Sequence, residues 1–436
     1  MSDENKVKKK IVIVDAYHDS DKGGVGILWG MIYAIKESSK KLNMEEQVEI
    51  EIIYRFSEDD PRYKTANRHT SKKFPELRIY GSPYKTYAPY VKKSLSKHIF
   101  NIFHSFLVLC FPNISSNPAI EAIRNADIVI SKGGHFYRSA PGFLNIIEMY
   151  GTIYSLLLCA RLNKKYFIVS HTVGPLYYPS TYLLKYVFNK ANFVSTREAI
   201  SQKNLHEIGV KGVKVTPDTA FYLPPGNKKD VEPLLKKYGL KYKKFATIVA
   251  RYWNFPHSGT ETERAELYQN YISTLAMTAD YLVQNYVEKV ALVVHTMGQH
   301  DEFEEDNKPI TAIYEKVENK SSVEIINEDL SPDMLSCLYH SARLMVGTRL
   351  HAVIFATVSG TPSIAIAYGH KTYGIMSMMG LEDQVVDINK IQYNDLTKLI
   401  DKLMEHEAEN RENIFDTVKN LREEIEKITE IIIKEL

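Results

Sequence analysis

Short runs of β-branched and aliphatic residues recur along the chain, each ending in small or polar residues. KKIVIVDAY at 9–17 is the first, VEIEIIYRF at 48–56 the next. Between them, DSDKGGVGILWGMIYAIKESSKK has a glycine-rich start and then a helical rhythm, predicting strand, turn, helix, strand: a βαβ unit. ADIVISKGG, KKYFIVSHTVGP, ANFVSTRE and GVKVTPDTAF continue the alternation to residue 221. Their unbroken apolar character is that of parallel strands buried on both faces.

The rhythm breaks at PPGNKKDVEPLLKKYGLKYKK (224–244), which is polar and lysine-rich and predicts a linker carrying a helix. A second alternation follows: FATIVARYW, a helix through YISTLAMTADYLVQNY, KVALVVHTMGQHD, a helix near 309–319, VEIINED, then MVGTRLHAVIFATVSGTPSIAIAY (345–368). The predicted class is α/β, with two Rossmann-like domains facing across a cleft, GT-B-like. The boundaries are 1–225 for the first domain, 226–244 for the linker, 245–395 for the second domain and 396–436 for a C-terminal helical segment. In open α/β sheets ligands sit beyond the carboxyl ends of the strands, so the expected site lies there.

In the tail, Ile414, Val418, Leu421, Ile425 and Ile428 alternate spacings of four and three. This fits a short coiled coil or, more simply, one amphipathic helix on its own domain. Residues 83–112 mix Lys, Tyr and Phe ahead of an apolar run. They read as helix within the first domain, with a basic-aromatic surface near a membrane as the sharper alternative.

Length supports this partition, since 436 residues exceed one ordinary core. A net charge of +2 gives no global field that would draw the protein onto nucleic acid. The cysteines Cys110, Cys159 and Cys337 are few and far apart, which argues for a reducing compartment without a disulfide framework. The basic N-terminus leads into a strand-length apolar run rather than a signal peptide or membrane span, so the expected location is cytoplasmic.

Candidate chemistry gathers at the strand ends. Gly23, Gly24 and Gly26 follow the first strand, without GxGxxG spacing or a Walker lysine. Gly133 and Gly134 permit close backbone approach to a ligand, with His135 and Arg138 just after them. His171, Arg197 and Arg251 each end an apolar run. Arg349 and His351 are set inside an apolar stretch, where an unpartnered charge is costly. A strand–helix turn at GTRLHA would resolve this: the helix start favours anions, arginine holds carboxylate or phosphate bidentately, and histidine moves protons near neutral pH. An arginine paired with a core carboxylate and a histidine satisfied by backbone fits the spacing equally well.

In order and spacing, ADIVISKGG, HTVGP, STRE with LHEIGV, VTPDTAFYLP and SPDMLSCLYHSARLMVGTRLHAVIFATVSGTPSIAIAYGHKTYG resemble the polysaccharide pyruvyl transferases over about residues 11 to 388. The resemblance implies phosphoenolpyruvate as donor, a sugar acceptor, a pyruvate ketal bridging two hydroxyls, and released phosphate. It implies no metal and no cofactor. On that reading Arg349 and Arg197 hold the donor's two anions, and His351, then His135, supplies a proton. His171 accepts one from the sugar. Gly133, Gly134, Thr348 and Leu350 offer backbone N–H groups to phosphate, and Arg251 and Lys371 reach the donor. Asp218 is structural. A lipid-linked acceptor, peripheral association with the inner face of the membrane and the oligomeric state stay open. So do two rivals: a nucleotide-sugar glycosyltransferase and a non-catalytic binding protein of the same fold.

Overall fold

A computed structural model describes residues 8–87, 95–298 and 305–436. The chain divides into two compact units. The first holds the chain to Asp19, Ile27–Thr219 and Glu423–Leu436; the second holds Ser20–Gly26 and Ala220–Arg422.

The first unit is built on a parallel sheet of β1 (Lys9–Ala16), β2 (Val48–Tyr54), β3 (Arg78–Tyr80), β4 (Ile128–Ser131), β5 (Lys165–His171), β6 (Phe193–Thr196) and β7 (Lys214–Val215). Their order is β3-β2-β1-β4-β5-β6-β7. Ile11 of β1 lies level with Ile50 on one side and Ile128 on the other. Ile11 to Val14 are fully buried, as continuous apolar strands in a parallel sheet should be. The order reverses direction between β1 and β4, the position where such sheets open a crevice beyond their strand ends.

The second unit repeats the plan with β8 (Phe245–Val249), β9 (Lys289–Val293), β10 (Val323–Ile326), β11 (Met345–Gly347), β12 (Ser363–Ala367) and β13 (Val385–Asp387). The order is β10-β9-β8-β11-β12-β13, again all parallel, with its reversal between β8 and β11. Met345 is level with Thr247 and with Ser363.

The structure departs from the sequence expectations in three places. The glycines of DKGGVG do not form a turn: helix Lys22–Lys41 has already begun, and they lie in its first turns. A Cβ built on Gly23 would fall inside the His351 imidazole, and one on Gly26 would come 2.5 Å from the Phe355 ring. The glycines therefore allow the helix start to press against helix Leu350–Val358.

The second departure is the predicted linker, most of which is ordered structure of the second unit. Helix Lys228–Lys237 is N-capped by Asn227 and buries Val231, Leu234 and Leu235. Third, the tail is not a separate segment. Helix Glu407–Ile433 belongs to the second unit up to Arg422 and to the first from Glu423. Its Ile414–Ile428 stripe is buried within this chain, the simpler of the two readings, though not on one domain alone. The stretch 83–112 does contain the expected helix, Leu95–Cys110, in the first unit, while its residues 88–94 lie outside those described.

Candidate functional site

In the second unit, four adjacent strands deliver polar side chains just past their carboxyl ends. His295 follows β9, Arg251 follows β8, Arg349 and His351 follow β11, and Tyr368, His370 and Lys371 follow β12. Helices Leu350–Val358 and His370–Met378 both start here, adding the partial positive charge of two helix N-termini.

Arg349 occupies the N-cap position of its helix. Its Nε donates to both Asp306 oxygens, at 2.9 and 3.2 Å, and its Nη2 donates to Oδ1 at 2.7 Å. Asp306 is fully buried and also accepts from the Thr296 N–H at 2.9 Å. The apolar run thus tolerates its arginine through a buried carboxylate, as one of the two sequence readings anticipated. The two-pronged edge expected to clamp the donor is turned onto Asp306. Thr348 is buried and its hydroxyl meets the Tyr271 hydroxyl at 2.7 Å, while its N–H donates to the Val249 carbonyl at 2.8 Å. Neither group of Thr348 is therefore turned to a ligand, contrary to expectation. Leu350 is a buried core residue.

Around Tyr368 the field is positive. The Arg251 guanidinium stacks 4.2 Å above its ring, and Lys371 Nζ lies 5.1 Å away. Burial pushes the phenol up, yet Lys371, Arg251 and Arg349 together pull it from 10.0 to about 7. His295 is driven the other way. Burial, reinforced by Arg349, His351 and Lys22, holds it well below its usual value and so neutral. Its Nδ1 meets the Tyr339 hydroxyl at 3.0 Å, while its buried Nε2 has no hydrogen-bond partner among the described residues. His351 is half-buried, against the helix start at Gly23. Lys22 pairs with Asp329 in the same unit. This set of cations, helix N-termini and an unsatisfied imidazole nitrogen is suited to a small anion carrying more than one charge.

The first unit is different in character. Asp15, at the end of β1, accepts from Ser131 Oγ at 2.6 Å and from the Tyr137 hydroxyl at 3.1 Å. Ser131 Oγ also meets His171 Nε2 at 3.0 Å. Asp15 has a φ of 68°, a left-handed conformation unusual outside glycine. Burial raises its carboxyl, opposed by the nearby Arg55. His171 is fully buried, and desolvation lowers it to about 3. It is therefore neutral and sealed, which corrects its expected contact with a sugar hydroxyl.

Arg197 is likewise sealed. It donates through Nε to Thr172 Oγ1 at 2.7 Å and through Nη1 to Asp218, with both side chains of the ion pair 1% exposed. A group this enclosed does not bind a substrate anion, so its expected donor contact is replaced by a structural pairing. Asp218 is structural, as expected. Gly133 permits close approach to the chain itself rather than to a ligand, since a Cβ there would meet the Ser170 carbonyl at 2.7 Å. At Gly134 the obstacle is the Phe136 ring at 2.5 Å. His135 is half-buried, with Nε2 at 2.9 Å from the Gly174 carbonyl oxygen.

A cavity of about 270 Å³ opens beside Asp15, lined among others by Arg55, Arg62, Tyr84, His98 and Thr152. Arg55 lies 4.2 Å over the Phe136 ring, and its buried Nη1 has no hydrogen-bond partner among the described residues. Sequence reading missed Asp15, Arg55, His295, Asp306 and Tyr368. Position after an apolar run could have flagged Asp15, Arg55, His295 and Tyr368. Asp306 follows no strand and carried no such signal.

Two parallel Rossmann-like sheets in one chain, each flanked by helices, define a GT-B-like fold. Solved structures of that kind align along nearly the whole chain. A UDP-GlcNAc 2-epimerase from Neisseria meningitidis bound to UDP-GlcNAc matches with a TM-score of 0.57 and 12% identity over 98% of this chain and 99% of that one. A putative UDP-N-acetylglucosamine 2-epimerase from Listeria monocytogenes matches with a TM-score of 0.56 and 14% identity over 94% and 91%. At these identities the likeness is one of fold.

Residues 40–370 match the polysaccharide pyruvyl transferase family, and the chain belongs to it. It is thus an enzyme of a family that uses phosphoenolpyruvate as donor. The amylovoran biosynthesis protein AmsJ of Erwinia amylovora is 23% identical over 328 residues, spanning 72% of this chain and 74% of that protein.

Proposed function

We propose that the enzyme converts two hydroxyls of one sugar, in a polysaccharide or its precursor, into a pyruvate ketal, with release of phosphate. The observation that carries this is the cationic cluster of the second unit, whose field brings the half-buried Tyr368 down to about 7. Phosphoenolpyruvate presents a carboxylate and a phosphate on three carbons, a match for Arg251, Lys371 and the two helix N-termini. Arg349, fixed by Asp306, supplies charge from a rigid position, and His295 Nε2 offers a further hydrogen bond.

In the reaction the methylene carbon gains a proton and becomes methyl, for which His351 is the assigned acid. The neighbouring carbon, now electrophilic, takes one sugar oxygen. A second sugar oxygen then displaces phosphate. The two hydroxyl protons are balanced by the proton on the new methyl and the one carried off with phosphate. The acceptor is assigned to the first unit's cavity, where Asp15 and Arg55 orient hydroxyls and the Ser131–His171 pair fixes Asp15. His135 is kept as an acceptor-side group rather than the proton donor.

Cys110, Cys159 and Cys337 form no disulfide with one another, which suits a reducing compartment and supports a cytoplasmic location. No helix among the described residues is long and apolar enough to cross a membrane.

Thermal unfolding with phosphoenolpyruvate, CMP, UDP and GDP tests the donor. A ligand that binds only the native state raises the midpoint. Phosphoenolpyruvate should raise it in the wild type and not in an Arg251→Gln/Lys371→Gln variant. A shift with a nucleotide and none with phosphoenolpyruvate would sink the reading.

A further inference from the structure

Helix Leu95–Cys110 is mounted the wrong way round for a soluble surface. A surface helix normally buries its apolar stripe and shows its polar one. Here the buried positions are Asn101 and Ser105. Asn101 Nδ2 donates to the Lys85 carbonyl at 3.1 Å, and the Ser105 and Tyr150 hydroxyls meet at 3.2 Å. The Tyr154 hydroxyl donates to the Ser105 carbonyl at 2.8 Å. These bonds hold the polar side against the first unit. Ile99, Phe100, Phe103, Phe106, Leu107 and, just beyond the helix, Phe111 face outward, with Phe100 66% and Phe103 59% exposed. Apolar surface gathered in this way marks an interaction site.

Charge identifies the partner. The chain carries 53 acidic residues in 436, yet none lies between Leu77 and Ile120, a stretch that holds Arg78, Lys85, Lys92, Lys93 and Lys97. Helix Leu95–Cys110 itself carries no acidic residue and one exposed lysine, Lys97, so a second copy meeting the same face, which a two-fold interface pairs with itself, would bring no acidic group on that helix to meet it. A surface that is negative outside and apolar just beneath complements both features. Sixteen residues are too few to span a bilayer, so the helix would lie in its interface.

We propose that helix Leu95–Cys110 docks the enzyme on an anionic lipid membrane, its phenylalanines entering the headgroup boundary and its Lys97 meeting acidic lipid. His98, on this helix, also lines the cavity beside Asp15 and Arg55. The docked face would therefore present that cavity to a sugar carried on lipid. This last step rests on the proposed function; the docking itself does not.

Sedimentation of the full-length protein with vesicles tests it. The probes are phosphatidylglycerol mixed equally with phosphatidylcholine, and phosphatidylcholine alone. The wild type should sediment with the anionic vesicles, less so as salt rises, and weakly with the neutral ones. F100S/F103S/F106S should lose at least about tenfold of that binding, and Lys97→Glu a smaller share. Both variants should keep the wild-type melting temperature and its shift with phosphoenolpyruvate, which reads the donor site independently. Wild type left in the supernatant of both vesicle types would overturn the docking, as would undiminished binding by the triple variant. A wild-type dimer that the triple variant dissociates, without vesicle binding, would assign the face to a second copy and equally end the proposal.

Discussion

Each unit follows a strand with an arginine and pairs it with an aspartate, but in different surroundings. Arg197 and Asp218 are both 1% exposed and enclosed by the first unit. Arg349 keeps 13% of its side chain exposed over a fully buried Asp306, beside Arg251, Lys371 and two helix N-termini. The same chemical pair is closed structure in one unit and the inner edge of a charged site in the other. A strand-end arginine is thus not a ligand contact by position alone. What its neighbours leave uncompensated decides.

The comparison breaks most visibly if Arg197 is removed. Arg197→Ala leaves a buried aspartate without its partner and should cost about 3–5 kcal/mol, read by urea unfolding. Replacing Asp218 as well should recover much of that loss. Full stability in Arg197→Ala would mean that the pair is not structural, and the contrast between the units would fail.

Gly23→Ala comes next. Alanine usually favours a helix over glycine, but here its methyl would enter the His351 ring. A loss of about 1–3 kcal/mol is expected from overpacking, together with a fall in kcat larger than any rise in KM for phosphoenolpyruvate. A stabilised, fully active variant would show that the His351 position is not set by this contact.

Arg251→Gln and Lys371→Gln sharpen the other side. Each should weaken phosphoenolpyruvate about tenfold, ~1.4 kcal/mol, with unfolding free energy within about 0.5 kcal/mol of wild type, as for surface changes in general. A stability loss with unchanged donor affinity would make this cluster as structural as Arg197.

The smallest effect is a titration. One tyrosine should ionise near pH 7, seen in tyrosinate absorbance and absent in Tyr368→Phe. Lys371→Gln and bound phosphoenolpyruvate should both move it upward, one removing a cation and the other adding anions. Because the folded value lies below the unfolded 10.0, the stability from this group is fully present above pH 10. It is lost as pH falls through about 7, so wild-type stability should climb more steeply than that of Tyr368→Phe between these limits. Equal slopes would mean that the phenol does not feel the cluster.

Much of the fold was legible because parallel strands buried on both faces leave unbroken apolar runs. β1, β4, β5, β8, β9 and β12 all fall on runs read from sequence alone. The location of chemistry past strand ends was legible for the same reason. The glycine motif misled because glycine signals freedom without saying whether a turn or a close neighbour uses it. At Gly23 the neighbour is His351, more than three hundred residues away.

By itself, then, the sequence determined two α/β halves, their alternating elements, and the family whose motifs run from ADIVISKGG to YGHK. Hydrophobic periodicity is local, and a motif is carried by residues in order. Tertiary structure alone decided which charges are cancelled: that Asp306 and Asp218 take the two arginines, that His171 is sealed and neutral, that Tyr368 lies under Arg251 and Lys371 and within the field of Arg349, and that helix Leu95–Cys110 turns its phenylalanines outward. Pairing and burial depend on neighbours distant in the chain, and the charge state of a buried group follows from its surroundings rather than from its own identity.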